Sequence, residues 1–215
     1  MSHKVQALAL FGALLVVAIS GCLSGPAAAP RAMVAPDPAM LMSVADFRAI
    51  RDRSARSAAI FAEAARVIQS PRCLNCHPVT RSPSQGDDLH AHLPLIRADQ
   101  GGHGPAGLPC STCHQPANVA TNLQPIESIP GHPHWVLAPS SMGWQGKSAR
   151  QICEQIKDPE RNGGRSLQQI HEHMAHDTLV GWAWNPGAGR HPAPGTQQAF
   201  GELIDAWIAT GAACP

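Results

Sequence analysis

PRCLNCHPVT, residues 71–80, and GLPCSTCHQP, residues 107–116, each place two cysteines three positions apart with a histidine directly after the second. Both read C-x-x-C-H: Cys73, Cys76 and His77 in the first, Cys110, Cys113 and His114 in the second. This spacing lets two thiols reach the two vinyl groups on neighbouring edges of one porphyrin. The next imidazole then lies under the iron as its proximal ligand. The sequence therefore predicts two c-type haems, attached through Cys73, Cys76, Cys110 and Cys113, with His77 and His114 as proximal axial ligands. Two other readings use the same cysteines. Two C-x-x-C pairs can build a four-thiolate zinc site, which leaves both histidines without a role and needs reduced thiolates. A thioredoxin-type dithiol needs a βαβ context that this sequence lacks.

The attachment points Cys73 and Cys110 lie 37 residues apart, too close for two tandem single-haem domains. Both haems are therefore expected in one body, within electron-transfer reach of each other. The chain of 215 residues suits one domain with at most an appendage. Charged residues make up 14%, against roughly 25% in an average protein, and 16 Lys and Arg nearly cancel 15 Asp and Glu. No strongly basic face is available, which excludes nucleic acid as a partner. With 19 Gly and 20 Pro, much of the backbone must run as loops. The expected fold is mostly α and loop-rich: one domain of short helices around two covalently bound haems.

The N-terminus predicts an address. Lys4 precedes an apolar run, Val5 to Ile19, too short for a spanning helix of about 20 residues, so it reads as an export signal. It ends in Ile19-Ser20-Gly21-Cys22, which resembles a bacterial lipobox. Residues 1–21 are then a lipoprotein-type signal peptide, and Cys22 takes a lipid that anchors the protein to a membrane on the periplasmic side. With Leu23 in place of an acidic residue, the outer membrane is favoured in a cell that has one. The alternative is ordinary cleavage after Ala27 to Ala29, which Pro30 disfavours by restricting the backbone there. Residues 22–42, with Pro26, Pro30, Pro36 and Pro38 among alanines, read as an extended tether. The folded body is placed at 43–215.

Seven cysteines are an odd number for an exported protein. Cys22 and the four motif cysteines leave Cys153 and Cys214, expected as a disulfide that pins the C-terminus to a mid-chain helix. Closing a loop of about 60 residues is worth roughly 4 kcal/mol in the chain-entropy model. The alternative is two free, buried thiols.

Each iron has a second axial position. Nine histidines, His90, His92, His103, His132, His134, His171, His173, His176 and His191, compete for it with Met142 and Met174. The candidates singled out are Met142, in the polar glycine-containing loop APSSMGWQGKS, then His92 and His134, His173, and His103. A methionine would raise the reduction potential relative to a second imidazole. HEHMAHD (171–177) lacks the i, i+4 histidine pair of a zinc protease because residue 175 is Ala.

Ser43 with Asp46 forms a capping box ahead of a helical run through Val44, Phe47, Ile50 and Ile60 to Ile68, with a break near 52–54 and an end before Pro71. Ser148 with Gln151 and Ser166 with Gln169 open two more helices, and a last one spans Thr196 to Thr210. Between Pro78 and Ser148 no strand is predicted. Trp182 and Trp184 are placed either on porphyrin edges or in the core.

PRCLNCHP, LPCSTCH, PHWVLAPSSMGWQGKS, ICEQIKDPERNGGRS and LVGWAWNPGAGRHPAPG together resemble the exported dihaem c-type cytochromes that carry the name isoquinoline 1-oxidoreductase subunit, or simply cytochrome c. The resemblance covers most of 43–215. Isoquinoline oxidation requires a molybdenum hydroxylase with iron–sulfur clusters, and this chain has no spare cysteines for clusters. What the resemblance implies is an electron acceptor for such an oxidoreductase. The expectation is a tethered carrier whose partner is another redox protein, a dehydrogenase or a second cytochrome. The alternative is a dihaem enzyme of peroxidase type with one open iron, in which tryptophan stands in for the absent tyrosine as radical partner.

Overall fold

The computed structural model describes residues 39–122 and 126–215. The expected signal peptide, Cys22 and most of the tether lie outside the described residues. The end of the tether segment does not hang free. The Ala39 carbonyl accepts from Gly195 N at 2.7 Å, the Met40 carbonyl accepts from Arg66 at 2.8 Å, and Met42 N donates to Glu63 at 2.9 Å. The packed body therefore begins before Ser43.

Local capping chemistry sets the helices. Ser43 and Asp46 close a 3₁₀ turn at Val44–Phe47 with a capping box. The Asp52 carboxylate then accepts from Ala55 N at 2.7 Å and opens α1, Arg53–Ile68. Ser70 precedes the single turn α2, Pro71–Leu74, whose first position is proline, where a missing N–H costs nothing. Capping boxes at Ser148/Gln151 and Ser166/Gln169 open α3, Ala149–Lys157, and α4, Leu167–His176. Asp177 caps α5, Thr178–Gly181, and Thr196 caps α6, Gln197–Ala209. Two antiparallel ladders of two residues each interrupt the loops. β1 (Ser84–Gln85) pairs with β2 (His90–Ala91), and β3 (Val119–Ala120) pairs with β4 (Ser128–Ile129). Strands this short carry no alternating pattern and form where the turns bring the chain together.

The core sits where α6 lies against α1 and α4. Phe61 and Trp207 meet at 4.9 Å, and Ile60, Ile68, Phe200, Leu203 and Ile204 fill the space around them. α6 approaches α4 closely at Gly201, where a Cβ would stand 2.6 Å from the Ala175 Cβ. The buried Ser57 hydroxyl donates to the Trp207 carbonyl at 3.0 Å and accepts from Ala213 N at 3.0 Å, so it is satisfied. Cys153 on α3 and Cys214 form a disulfide across 61 residues, and the C-terminal segment is further held by Lys157 Nζ donating to the Ala212 carbonyl at 2.7 Å. The fold is mostly helical and loop-rich. Among the described residues between Asn75 and Lys147, the buried apolar side chains are Pro78, Ala98, Met142 and Trp144, too few to organise that stretch by themselves.

Candidate cofactor site

Each C-x-x-C-H segment is one helical turn. His77 N donates to the Cys73 carbonyl at 3.0 Å and Cys76 N to the same carbonyl at 3.2 Å. In the second segment His114 N reaches the Cys110 carbonyl at 2.9 Å and Cys113 N reaches it at 3.2 Å. Two thiols and one imidazole thus leave the same turn in both places. All four sulfurs are free of disulfides. Burial pushes the Cys73 thiol up to about 12 and the Cys76 thiol up to about 11, and it raises Cys110 too. Burial thus favours the neutral thiol at these three positions. No three His, Cys, Asp or Glu side chains converge as a metal-holding group among the described residues.

The two histidines are oriented by the same device. His77 Nδ1–H donates to the Met142 carbonyl at 2.8 Å, and His114 Nδ1–H donates to the Pro130 carbonyl at 2.8 Å. A carbonyl only accepts, so the proton is on Nδ1 and Nε2 keeps its lone pair, the arrangement of a metal-ligating imidazole. A glycine follows each acceptor. At Gly143 a Cβ would stand 2.6 Å from the Pro78 carbonyl oxygen, and at Gly131 one would stand 2.2 Å from that of Ala117. Only a residue without a side chain lets the supporting loop pass the segment that follows each motif. A tryptophan completes each unit: Trp144 stacks on His77 at 3.5 Å and 2°, and Trp135 stacks on His114 at 4.7 Å and 13°.

Burial lowers His77 to about 4, against the hydrogen bond to Met142, and it lowers His114 as well. Both imidazoles are neutral at pH 7, as ligation requires. Each also feels one other histidine. The charge of His173 acts on His77, and that of His92 acts on His114. The His92 and His114 rings lie 5.9 Å apart, room for one metal atom between two nitrogens at about 2 Å each. These two partners are oriented in the same sense. His92 Nδ1–H donates to the Pro94 carbonyl at 2.9 Å, and His173 Nδ1 pairs with the Asp177 carboxylate at 3.0 Å. His90 and His191 are tied at Nδ1 in the same way, to Asp88 and Asp87, so what sets His92 apart is its nearness to His114.

A cavity of about 510 Å³ joins the two turns, within the usual range for a cofactor site. Cys76 lines it from one side, and Cys110, Cys113, His114 and His92 from the other. Its apolar wall includes Leu93, Leu108 and Ile126, which are exposed at 64%, 39% and 43%. Apolar side chains left uncovered around a cavity suit a flat apolar group inside it. Trp182 also lines the cavity and meets Trp135 edge-on at 5.0 Å, whereas Trp184 packs on Phe200 at 5.9 Å.

The other candidates fall elsewhere. Met142 is buried with the core, and its carbonyl holds Nδ1 of His77, on the side of the ring away from Nε2. Its backbone supports His77, and its side chain packs among core residues. Met174, beside His173 in sequence, is also core. His103 is exposed, with its backbone N bonded to Asp99, and His134 is exposed beside His132. Neither lines the cavity, and neither do His77 and His173. The supporting carbonyls, the glycines and the tryptophan stacks escaped the sequence reading. Their visible signal was a glycine and then a tryptophan in both PGHPHW and MGW.

No family model, curated protein or solved structure matches this chain.

Proposed function

We propose that the protein is a dihaem c-type cytochrome that transfers electrons, with one haem held by Cys73, Cys76 and His77 and the other by Cys110, Cys113 and His114. When bound, the haems supply irons that exchange one electron each. The observation that carries this reading is the duplicated unit: thiol pair, tied imidazole and stacked tryptophan. Beside these, His92 would hold the iron of the second haem together with His114, from which its ring lies 5.9 Å away, and His173 is the candidate for the first. If imidazoles held both irons on both sides, neither would offer a place for substrate, which would favour a carrier over a peroxidase. Two imidazoles also favour lower potentials than a histidine–methionine pair.

The residues do the positioning. The Met142 and Pro130 carbonyls fix the tautomer of the proximal histidines, and Asp177 and the Pro94 carbonyl do the same for the distal pair. Trp144 and Trp135 hold the proximal rings flat. The N-terminal reading places this carrier on the periplasmic side of a membrane, tethered through Cys22, with a redox protein such as a molybdenum hydroxylase as its electron donor.

The test is expression with a cytochrome c maturation system, haem quantification per chain, and optical and EPR spectra. Two covalent low-spin haems, without a Met-ligation band and without CO or peroxide binding, are expected. His92→Ala and His173→Ala should each turn one haem high-spin. A wild-type high-spin fraction that reacts with peroxide would favour the dihaem enzyme, and a chain without covalent haem would overturn both readings.

A further inference from the structure

The peptide unit that ties His114 is bonded at both ends. Its oxygen, the Pro130 carbonyl, accepts from His114 Nδ1–H at 2.8 Å, and its N–H, on Gly131, donates to Asn118 Oδ1 at 3.0 Å. The register of the short ladder brings these groups together. Val119 of β3 stands opposite Ile129 of β4, so the next residues out, Asn118 and Pro130, come level. Asn118 is itself held from the helical side. Its Oδ1 accepts a second bond, from Trp182 Nε1 at 2.8 Å, and its Nδ2 donates to the Asn185 carbonyl at 2.9 Å. An N–H only donates and a carbonyl only accepts, so these three partners fix which end of the amide is oxygen. Trp182 also meets Trp135 edge-on at 5.0 Å, and Trp135 stacks on His114. Asn118 thus reaches one imidazole by two routes, through a peptide and through two rings. The first motif has the equivalent arrangement in backbone alone: Gly143 N, in the same peptide unit as the Met142 carbonyl, donates to the Ser140 carbonyl at 3.1 Å. No substitution removes that acceptor, whereas at Asn118 one can.

Resting on the dihaem reading, we propose that Asn118 is a positioning residue that sets how strongly His114 is held and, through it, the reduction potential of the haem attached at Cys110 and Cys113. A peptide whose N–H is bonded is a better acceptor at its oxygen, because each hydrogen bond polarises the next. A better acceptor draws the Nδ1 proton and leaves more electron density on Nε2, the nitrogen that ligates. A more basic imidazole favours ferric over ferrous iron, which lowers the potential. The potential of the second haem is therefore adjustable at one side chain, while His77 of the first is held by backbone alone.

The test compares the wild-type full chain carrying both haems with Asn118→Ala and Asn118→Asp. Two quantities are measured: the reduction potential of each haem, and the Nδ1–H proton resonances of His77 and His114 in the reduced, low-spin protein. Alanine removes the acceptor, so the His114 resonance should move upfield and the reduction equilibrium constant of one haem should rise about threefold. Aspartate keeps the acceptor and charges it, so the resonance should move downfield and that constant should fall about tenfold. The His77 resonance and the other potential should change far less. A His114 resonance that is unmoved in both variants, or moves the same way in both, would overturn the proposal and leave the dihaem reading intact, since a loosened loop gives no opposite signs. Equal shifts at His77 would overturn it as well. Should Asn118→Ala not be recovered folded, Asn118→Asp decides by the same readouts, and an unmoved His114 resonance there is the overturning result. Wild-type chain without covalent haem defeats the dihaem reading, and the resonances of the haem-free chain then decide whether Asn118 acts on His114.

Discussion

The two C-x-x-C-H turns share one chemical plan and stand on different foundations. The first rests on the helical core: Cys73 and Leu74 pack against it, and Met142 and Trp144, which support His77, are 7% and 4% exposed. The second is built from loops. Cys113 is exposed, Trp135 is half-buried, and its support comes from backbone hydrogen bonds, two-residue ladders and glycine contacts. The same tied imidazole is thus obtained once by apolar packing and once by backbone geometry. Packing holds the first turn, whereas the loop-built turn borders a cavity whose apolar wall is exposed.

That contrast is broken or sharpened by a graded set of measurements. Removing the disulfide with Cys153→Ala and Cys214→Ala should cost about 4 kcal/mol in chemical denaturation and weaken the core side. If the spectrum of the second haem suffers more than that of the first, the division is wrong. Trp144→Ala should cost about 3–4 kcal/mol as a core truncation, and Trp135→Ala about half as much. Equal losses in urea midpoint would mean that both turns rest on packing.

A pH series on the haem-free chain probes the same difference through the histidines. His77 titrates near 6.5 when unfolded and at about 4 when folded, because burial disfavours its charge. The unfolded chain then binds the extra proton, so stability is full above pH 6.5 and declines as pH falls toward 4, by as much as about 3 kcal/mol. His77→Gln should flatten the profile more than His114→Gln does. The smallest expected effect, about 2 kcal/mol, belongs to the glycine contacts. Gly131→Ala should displace the Pro130 carbonyl and reduce occupancy of the second haem more than Gly143→Ala reduces the first, as read by haem per chain.

Much of this molecule was legible in the chain because it is local. Capping boxes at Ser148 and Ser166 and the helix ahead of Pro71 involve residues within a few positions of one another. So do the two C-x-x-C-H turns, closed by bonds over four residues. The facing imidazoles were not legible in that way. His92 and His114 are brought to 5.9 Å by the path of the loops, and a polar, glycine-containing loop around Met142 gave no warning that its side chain turns inward. His103 and His134 had sequence surroundings as suitable as those of His92, and only the path of the chain separates them.

The sequence by itself determined which turns form, which thiols and imidazoles leave them together, where the helices start, and the pairing expected for Cys153 and Cys214. Those features follow from short-range hydrogen bonding, residue spacing and cysteine count. Tertiary structure alone decided which carbonyl holds each Nδ1, that His92 comes beside His114, and that Arg72 is buried against Asp87. These depend on contacts between segments tens of residues apart, set by packing around a core and by the few places where glycine lets two backbones pass.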